Sequence, residues 1–376
     1  MAGTNGKGST SAITAAILHA AGRTVGTMPS PHLSSYLERV QVDGEPISEE
    51  EFAKGVDWLR ARIGGVMQDL GPPTEFEILT SLAITYLARH CDDLVIEVGM
   101  GGRLDATNVL DLGCAVITNV SLDHVQHLGD TVEKIAVEKA GIIKPGNLVV
   151  TGAEPPALEV IARRAHDVGA ELVRPLWSVR SRGWAGIEVD ISAPGIELRQ
   201  LELPLLGAFQ AGNAALAVVT AARLGVNDRE LIQRGLSAAR SPGRLEPFPG
   251  RPGVLLDGGH NPAALARLVE AVLELRRGRS LVLVLGMMAD KDVRSGLREI
   301  RRLEPEAVVF TAADSPRAAT PATLHEAWAG PAEELAGTAA ALKRAQELAG
   351  PDGLVLVCGS LYVVGELRPL LLAARK

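Results

Sequence analysis

Apolar residues in this chain fall into two rhythms. From Ser9 to Ala21, Ile13, Ala16, Ile17 and Ala20 recur at helical spacing until Gly22, which predicts a helix. The β-branched runs DLVIEVG (93–99), CAVITNV (114–120) and NLVVTGA (147–153) are bounded by turn residues and predict strands. Helical stretches such as EFEILTSLAITYLARH (75–90) and PPALEVIARRAHDVGA (155–170) lie between or after them, so a mainly parallel sheet with helices on its faces is expected. From about Trp184 to Leu203, GIEVDI and GIELRQLELPL predict short antiparallel strands, and FQAGNAALAVVTAARLG (209–225) returns to helix. A boundary is expected in SAARSPGRLE (237–246), where a helix runs out into Ser, Pro and Gly; it separates a domain over 1–240 from one over 241–376. In the second, GVLLDGG, SLVLVLG, AVVFTAA and GLVLVCGS alternate with helices, one of them carrying Leu265, Leu268, Val269 and Val272 on one face, and predict a doubly wound α/β domain.

Bulk properties narrow the function without naming it. A length of 376 residues suits two domains, and a net charge of −7 argues against a broad nucleic-acid footprint, so any anion must be gripped locally. Cys91, Cys114 and Cys358 are far apart and form no CxxC, which argues against a disulfide framework or zinc site. The longest apolar run, SLVLVLGMM, is too short to span a bilayer, and a cytoplasmic protein that binds neither membrane nor nucleic acid is expected.

The first residues carry the first chemistry. In GTNGKGST, Gly3, Thr4, Asn5, Gly6 and Gly8 offer backbone N–H groups, Lys7 a cation, and Ser9 and Thr10 metal-ligating hydroxyls, the equipment of a polyphosphate loop. A helix N-terminus made of small residues would look similar. Relative to GxxxxGK[ST], Met1 stands where the first Gly would be and Gly8 separates Lys7 from Ser9. Glu97 ends an apolar strand on the side where open α/β sheets bind ligands; there it could hold Mg²⁺, cap a turn or pair with Arg103. Asp123 and His124 follow a second strand, and Lys139 falls in the last turn of a helix begun by Thr131 and ended by Gly141. Taken singly, His124 reads as a hydrogen-bonded loop histidine and Lys139 as a solvated helix-end cation.

Together GTNGKGST, SPHLSSYLERVQVDGEPIS, EVGMGGRLDATN and LDHVQHLGDTVEKIAVEKAGIIKPG closely resemble the folylpolyglutamate synthase and dihydrofolate synthase family of the Mur ligase superfamily. FQAGNAALA, SPGRLE, DGGHNP, GMMADKD and CGSLYVVGE extend the resemblance over almost the whole chain. It implies a P-loop, Mur-ligase-type domain followed by a smaller Rossmann-like one. It also implies an ATP-dependent ligase in which a carboxylate of a folate or dihydropteroate is phosphorylated and the resulting acyl phosphate is attacked by the amino group of L-glutamate. By motif match, Lys7 grips the terminal phosphates, Ser9 or Thr10 approaches one Mg²⁺, and Ser30, Glu97 and His124 hold a second. Lys139 matches the family's carbamylated lysine, formed by addition of CO2. Asn213 matches an adenine-side residue, and Arg244, Asp257, His260 and Asn261 match positions that close over the nucleotide. A monovalent cation and a monomeric state are also implied.

Other features stay open in the sequence. Glu75 and Glu77 of TEFE match the family and also read as helix N-terminal carboxylates; Arg244 reads equally as a linker salt bridge, and DGGHNP as a strand-to-helix turn. Pro29 before Ser30, Phe209 where a His is usual and Gly259 where an Ala is usual depart from the family pattern; the Gly259 change is expected mainly to add flexibility. Only Met1 and Ala2 precede the loop, whereas family members carry the strand that feeds it. A start placed downstream of the true one, or a trimmed chain, is expected, with lower stability and turnover than an extended form. The competing readings are a peptidoglycan-precursor ligase, a P-loop ATPase without ligation and a nucleotide-binding pseudoenzyme.

Overall fold

A computed structural model describes residues 1–374. They form two compact units: residues 1–180, 188–204 and 210–240, and residues 181–187, 205–209 and 241 onward.

In the first unit, helix α1 (Lys7–Ala20) leads to β1 (Val25–Met28), the short strands β2 (Gln41–Val42) and β3 (Glu45–Pro46), and helices α2 (Glu49–Arg60), α3 (Gly64–Leu70) and α4 (Glu75–His90). Then come β4 (Asp93–Ile96), β5 (Cys114–Ile117), α5 (Val125–Leu128), α6 (Val132–Ala140), β6 (Leu148–Thr151), α7 (Ala157–Asp167) and β7 (Glu171–Val173). β1 runs parallel to β4 and antiparallel to β2, while β5, β6 and β7 are mutually parallel. Each half has its own apolar core, one around Met28, Leu82, Leu87 and Ile96, the other around Ile117, Ile143, Val149 and Ile161. Met1 and Ala2 lie between the halves. The Met1 amino group donates to the Ile96 carbonyl (2.8 Å), Val98 N–H to Met1 (2.9 Å), Ala2 N–H to Val116 (2.8 Å) and Thr118 N–H to Ala2 (2.9 Å). Two residues thus stand where a strand would feed the loop, and Ala2 is wholly buried.

Strands β8 (Leu176–Ser181), β9 (Ile187–Ala193) and β10 (Ile196–Leu203) make a separate sheet in the order β10-β9-β8, and helices α8 (Gln210–Arg223) and α9 (Arg229–Ala238) pack on α1. The expected antiparallel strands are β9 and β10; β8, exposed along its length, escapes a reading that relies on buried residues.

The second unit contains β11 (Glu246–Phe248), β12 (Gly253–Leu256), α10 (Pro262–Arg276), β13 (Leu281–Leu285), α11 (Val293–Arg301) and β14 (Ala307–Phe310). It continues with α12 (Pro321–Trp328), β15 (Glu333–Glu334), α13 (Thr338–Ala349), β16 (Leu354–Cys358) and α14 (Leu361–Ala373). The sheet order is β11-β12-β16-β13-β14-β15, parallel apart from the edge strand β11. LVLVL and LVLVC are apolar throughout because both faces of these central strands are covered. The chain is thus an α/β protein with a doubly wound C-terminal sheet. Among the described residues no helix is long and apolar enough to cross a membrane.

Candidate active site

The phosphate-type loop is shaped by its glycines and by the strand beside it. Gly3 has φ +145°, and a Cβ there would lie 1.9 Å from Thr118 Oγ1. Gly6 has φ +85°, and a Cβ would lie 2.3 Å from Asn213 Oδ1. Residues leaving β5 hold the polar part of the loop: Thr4 N–H donates to the Asn119 carbonyl (2.9 Å), and Asn5 N–H to Asn119 Oδ1 (3.1 Å). The Thr118 hydroxyl and the Asn119 amide donate to the Asn5 carbonyl (2.6 and 2.8 Å). α1 begins at Lys7, earlier than its apolar spacing suggests, because Gly6 turns the chain into the first helical turn without a side-chain cap. An uncapped helix N-terminus behind a glycine loop fits a phosphate.

Helix α8 braces this loop. Thr10 Oγ1 donates to Asn213 Oδ1 (3.4 Å), Asn213 Nδ2 to Gln210 Oε1 (2.7 Å), and Gln210 Nε2 to Ser9 Oγ (3.5 Å). Asn213, expected on the adenine side, therefore has its side chain against the loop. Lys7 Nζ donates to the Gly3 carbonyl (3.2 Å).

Glu97 is only 4% exposed. Its Oε2 accepts the Ser30 N–H (3.1 Å) and would lie 3.6 Å from a Cβ on Gly8, so the carboxylate stands between the loop and Ser30. Its sequence alternative, pairing with Arg103, is not what the structure shows: Arg103 donates Nε and Nη2 to Glu138 Oε1 (3.0 and 2.8 Å). Gly102 lies against the carbonyls of Glu138 and Lys139, where a Cβ would come within 2.9 and 3.2 Å, so the loop after Glu97 is seated on the end of α6.

Lys139, read singly as a solvated cation, is instead 4% exposed. Burial, then repulsion from Lys7, pushes its ammonium down to about 7, with Asp123 opposing. His124 has a left-handed backbone (φ 49°), its N–H donates to Asp123 Oδ1 (2.9 Å), and its Nε2 lies 3.9 Å from that oxygen. Among the described residues no three His, Cys, Asp or Glu side chains gather into a metal cluster. A single carboxylate, Glu97, buried beside Gly8 and Ser30, suits Mg²⁺, which takes few protein ligands and completes its shell with phosphate and water.

In the second unit, Asp257 closes the end of β12. Oδ2 accepts Leu245 N–H (2.8 Å) and Oδ1 accepts Gly259 N–H (2.7 Å); burial nevertheless raises its carboxyl, against the lowering effect of Arg244 and these bonds. His260 Nδ1 bonds the Gly258 carbonyl (3.0 Å), so Nδ1 carries a proton. Asn261 caps α10 by accepting Ala264 N–H (2.9 Å). A Cβ on Gly259 would lie 2.7 Å from Asp257 Oδ1, so this glycine permits a close approach as well as flexibility. Phe209 packs on the apolar core of this unit. Of the TEFE carboxylates, Glu77 completes a capping box with Thr74, and Glu75 accepts the Tyr36 hydroxyl (3.1 Å). Sequence reading missed Thr118, Gln210 and Arg39; the polar residues just beyond β5 were the only local signal for the first, and nothing local marked the other two.

Two family models match: the Mur ligase middle domain over residues 1–221 and the Mur ligase, glutamate ligase domain over 243–361. The fold and these matches define an ATP-dependent, amide-forming ligase. A Bacillus subtilis dihydrofolate synthase/folylpolyglutamate synthase is 34% identical, with 98% of this chain and 89% of the relative covered. A probable bifunctional folylpolyglutamate synthase/dihydropteroate synthase of Haloferax volcanii is 41% identical over 98% of this chain; the chain spans only 45% of that longer relative. Mycobacterium tuberculosis folylpolyglutamate synthase complexed with ADP superposes with a TM-score of 0.91 at 33% identity, covering 98% of this chain and 89% of that one. A Yersinia pestis folylpolyglutamate synthase/dihydrofolate synthase complexed with AMPPNP and a Mn ion gives 0.86 at 34% identity, covering 98% and 87%. The chain belongs to the folylpolyglutamate synthase/dihydrofolate synthase family.

Proposed function

We propose that this chain joins L-glutamate to a folate in two displacements: a carboxylate oxygen of the folate attacks the γ-phosphorus of ATP and ADP leaves, then the glutamate amine attacks the acyl carbon. The amine loses a proton, phosphate departs and an amide forms. The observation that carries this reading is Glu97, buried between Gly8 of the phosphate loop and the N–H of Ser30. Mg²⁺ at this carboxylate, with the hydroxyls of Ser9 and Ser30 and the imidazole of His124, would neutralise charge on the transferred phosphoryl. Lys7 and the N–H groups of Gly3–Thr10 bind and orient the phosphates. Asn213 serves the adenine side as well as the loop, and Arg244, Asp257, His260 and Asn261 contribute from a C-terminal domain over 241–376.

Burial beside Lys7 supports carbamylation of Lys139, in which the neutral amine adds CO2 and releases a proton; the anionic product would join the metal site and relieve the repulsion from Lys7. In this reading the chain works as a monomer in the cytoplasm, the compartment that supplies ATP, and its net charge of −7 speaks against nucleic acid as a partner. The test is ADP release with Mg-ATP and bicarbonate, comparing glutamate plus tetrahydrofolate, glutamate plus dihydropteroate, and each component omitted, with and without K⁺. ADP release that requires both glutamate and an acceptor supports ligation, and the productive acceptor identifies the activity. Release indifferent to both substrates overturns the proposal.

A further inference from the structure

We propose that Arg39 is a positioning residue for the phosphoryl-transfer centre, holding the Ser30 hydroxyl and the His32 imidazole in fixed orientation; this rests on the reading of Ser30 as a metal-binding hydroxyl. Arg39 ends the short 3-10 turn Tyr36–Arg39 and is 7% exposed. Its Nη1 donates to Ser30 Oγ (2.9 Å) and its Nε to His32 Nδ1 (3.0 Å).

The chemistry of these contacts has one direction. A guanidinium only donates, so His32 Nδ1 must be the acceptor and the ring proton sits on Nε2. Ser30 Oγ gives one lone pair to Arg39 and keeps the other, while its backbone N–H is tied to Glu97 Oε2 (3.1 Å). Backbone and side chain of Ser30 are therefore fixed from two sides. The array continues outward: the His32 and Tyr36 rings lie 4.5 Å apart, and the Tyr36 hydroxyl reaches Glu75 in the first turn of α4.

The loop does not need this cation for its shape. Glu38 gathers the N–H groups of Leu33, Ser34 and Ser35 (2.7, 3.0 and 3.1 Å) and forms a capping box with Ser35. Burying a guanidinium costs free energy, and here that cost orients two side chains, one of them set by Glu97 beside the phosphate loop.

The test uses the full chain with Arg39→Met and Arg39→Lys, and Ser30→Ala as reference. Five quantities are read: half-saturation of the enzyme–ADP complex with Mn²⁺ by EPR, the Mg²⁺ dependence of ADP release, its kcat, Tm, and ¹⁵N shifts of the His32 ring. Arg39→Met is expected to raise the metal concentration required by roughly ten- to a hundredfold, the range a lost charge-assisted hydrogen bond commands. It should also lower kcat and mix the His32 tautomers, with Tm moved by only a few degrees; Arg39→Lys should fall between. Unchanged metal requirement and unchanged His32 shifts in both variants overturn the inference, as does a loss of activity that follows Tm alone. If Ser30→Ala leaves the metal requirement untouched, the underlying reading of Ser30 fails; if Ser30→Ala raises it and the Arg39 variants do not, only this inference fails.

Discussion

Activity should depend on CO2 through Lys139. In water a lysine with its ordinary value of 10.5 has roughly one part in three thousand free amine at pH 7, whereas about half is free when the value is about 7. The buried site thus enriches the free amine, the form able to add CO2, by about three orders of magnitude. The same shift corresponds to about 5 kcal/mol of unfavourable burial for the ammonium form. Between pH 7 and 10.5 the unfolded chain binds more protons at this residue, so its contribution destabilises the fold below about pH 7 and is relieved as pH rises toward 10.5. The perturbation is depletion of CO2, with Lys139→Ala as the covalent counterpart. Carbon dioxide-free enzyme should release ADP slowly and recover on addition of bicarbonate; Lys139→Ala should lose at least a hundredfold in kcat, the loss expected for one fixed electrostatic partner of a transferred phosphoryl, and recover partly with short carboxylic acids. A ¹³C carbamate resonance from labelled bicarbonate should appear in the wild type and be absent from the variant. Full activity without CO2 together with no carbamate resonance would refute the reasoning.

Three further substitutions probe separate links. Gly6→Ala forces φ +85° on a residue with a Cβ and drives that carbon into Asn213 Oδ1, so ATP affinity should fall at least tenfold, about 1.4 kcal/mol, with near-native circular dichroism; unchanged ATP titrations would sink the prediction. Glu97→Gln keeps the shape of the buried side chain and removes its charge, so turnover should fall by about a hundredfold or more while Tm holds or rises; equal turnover in a Mg²⁺ titration would contradict the placement of the metal beside Glu97. Asn261→Ala removes the cap of α10 and should cost about 1 kcal/mol in urea unfolding, and a wild-type midpoint would show that water replaces the bond without loss.

The elements were legible wherever packing writes a period into the chain. LVLVL and LVLVC announce strands covered on both faces, and Ile13 and Ile17 announce the buried face of α1, because apolar burial is local in its demand on residue type. The glycine loop was legible because Gly3 and Gly6 need positive φ whatever the rest of the chain does. What one position in a sequence cannot carry is desolvation, since it depends on neighbours remote along the chain. Lys139 looks like any helix-end cation until the loop after Glu97 closes over α6 and Lys7 faces it. Glu97 and Arg103 look like a pair until Arg103 turns to Glu138. Arg39 is unremarked in SSYLERV until folding brings it to Ser30 and His32. The sequence by itself determined the α/β architecture, the glycine-rich turn into α1 and the ligase family. Only the tertiary structure decided which charges are buried and which partners the carboxylates and hydroxyls take, because burial is set by segments remote along the chain, as where Ser30 meets Glu97 and Arg103 meets Glu138, and even the nearer Arg39–Ser30 bond needs the loop between them folded.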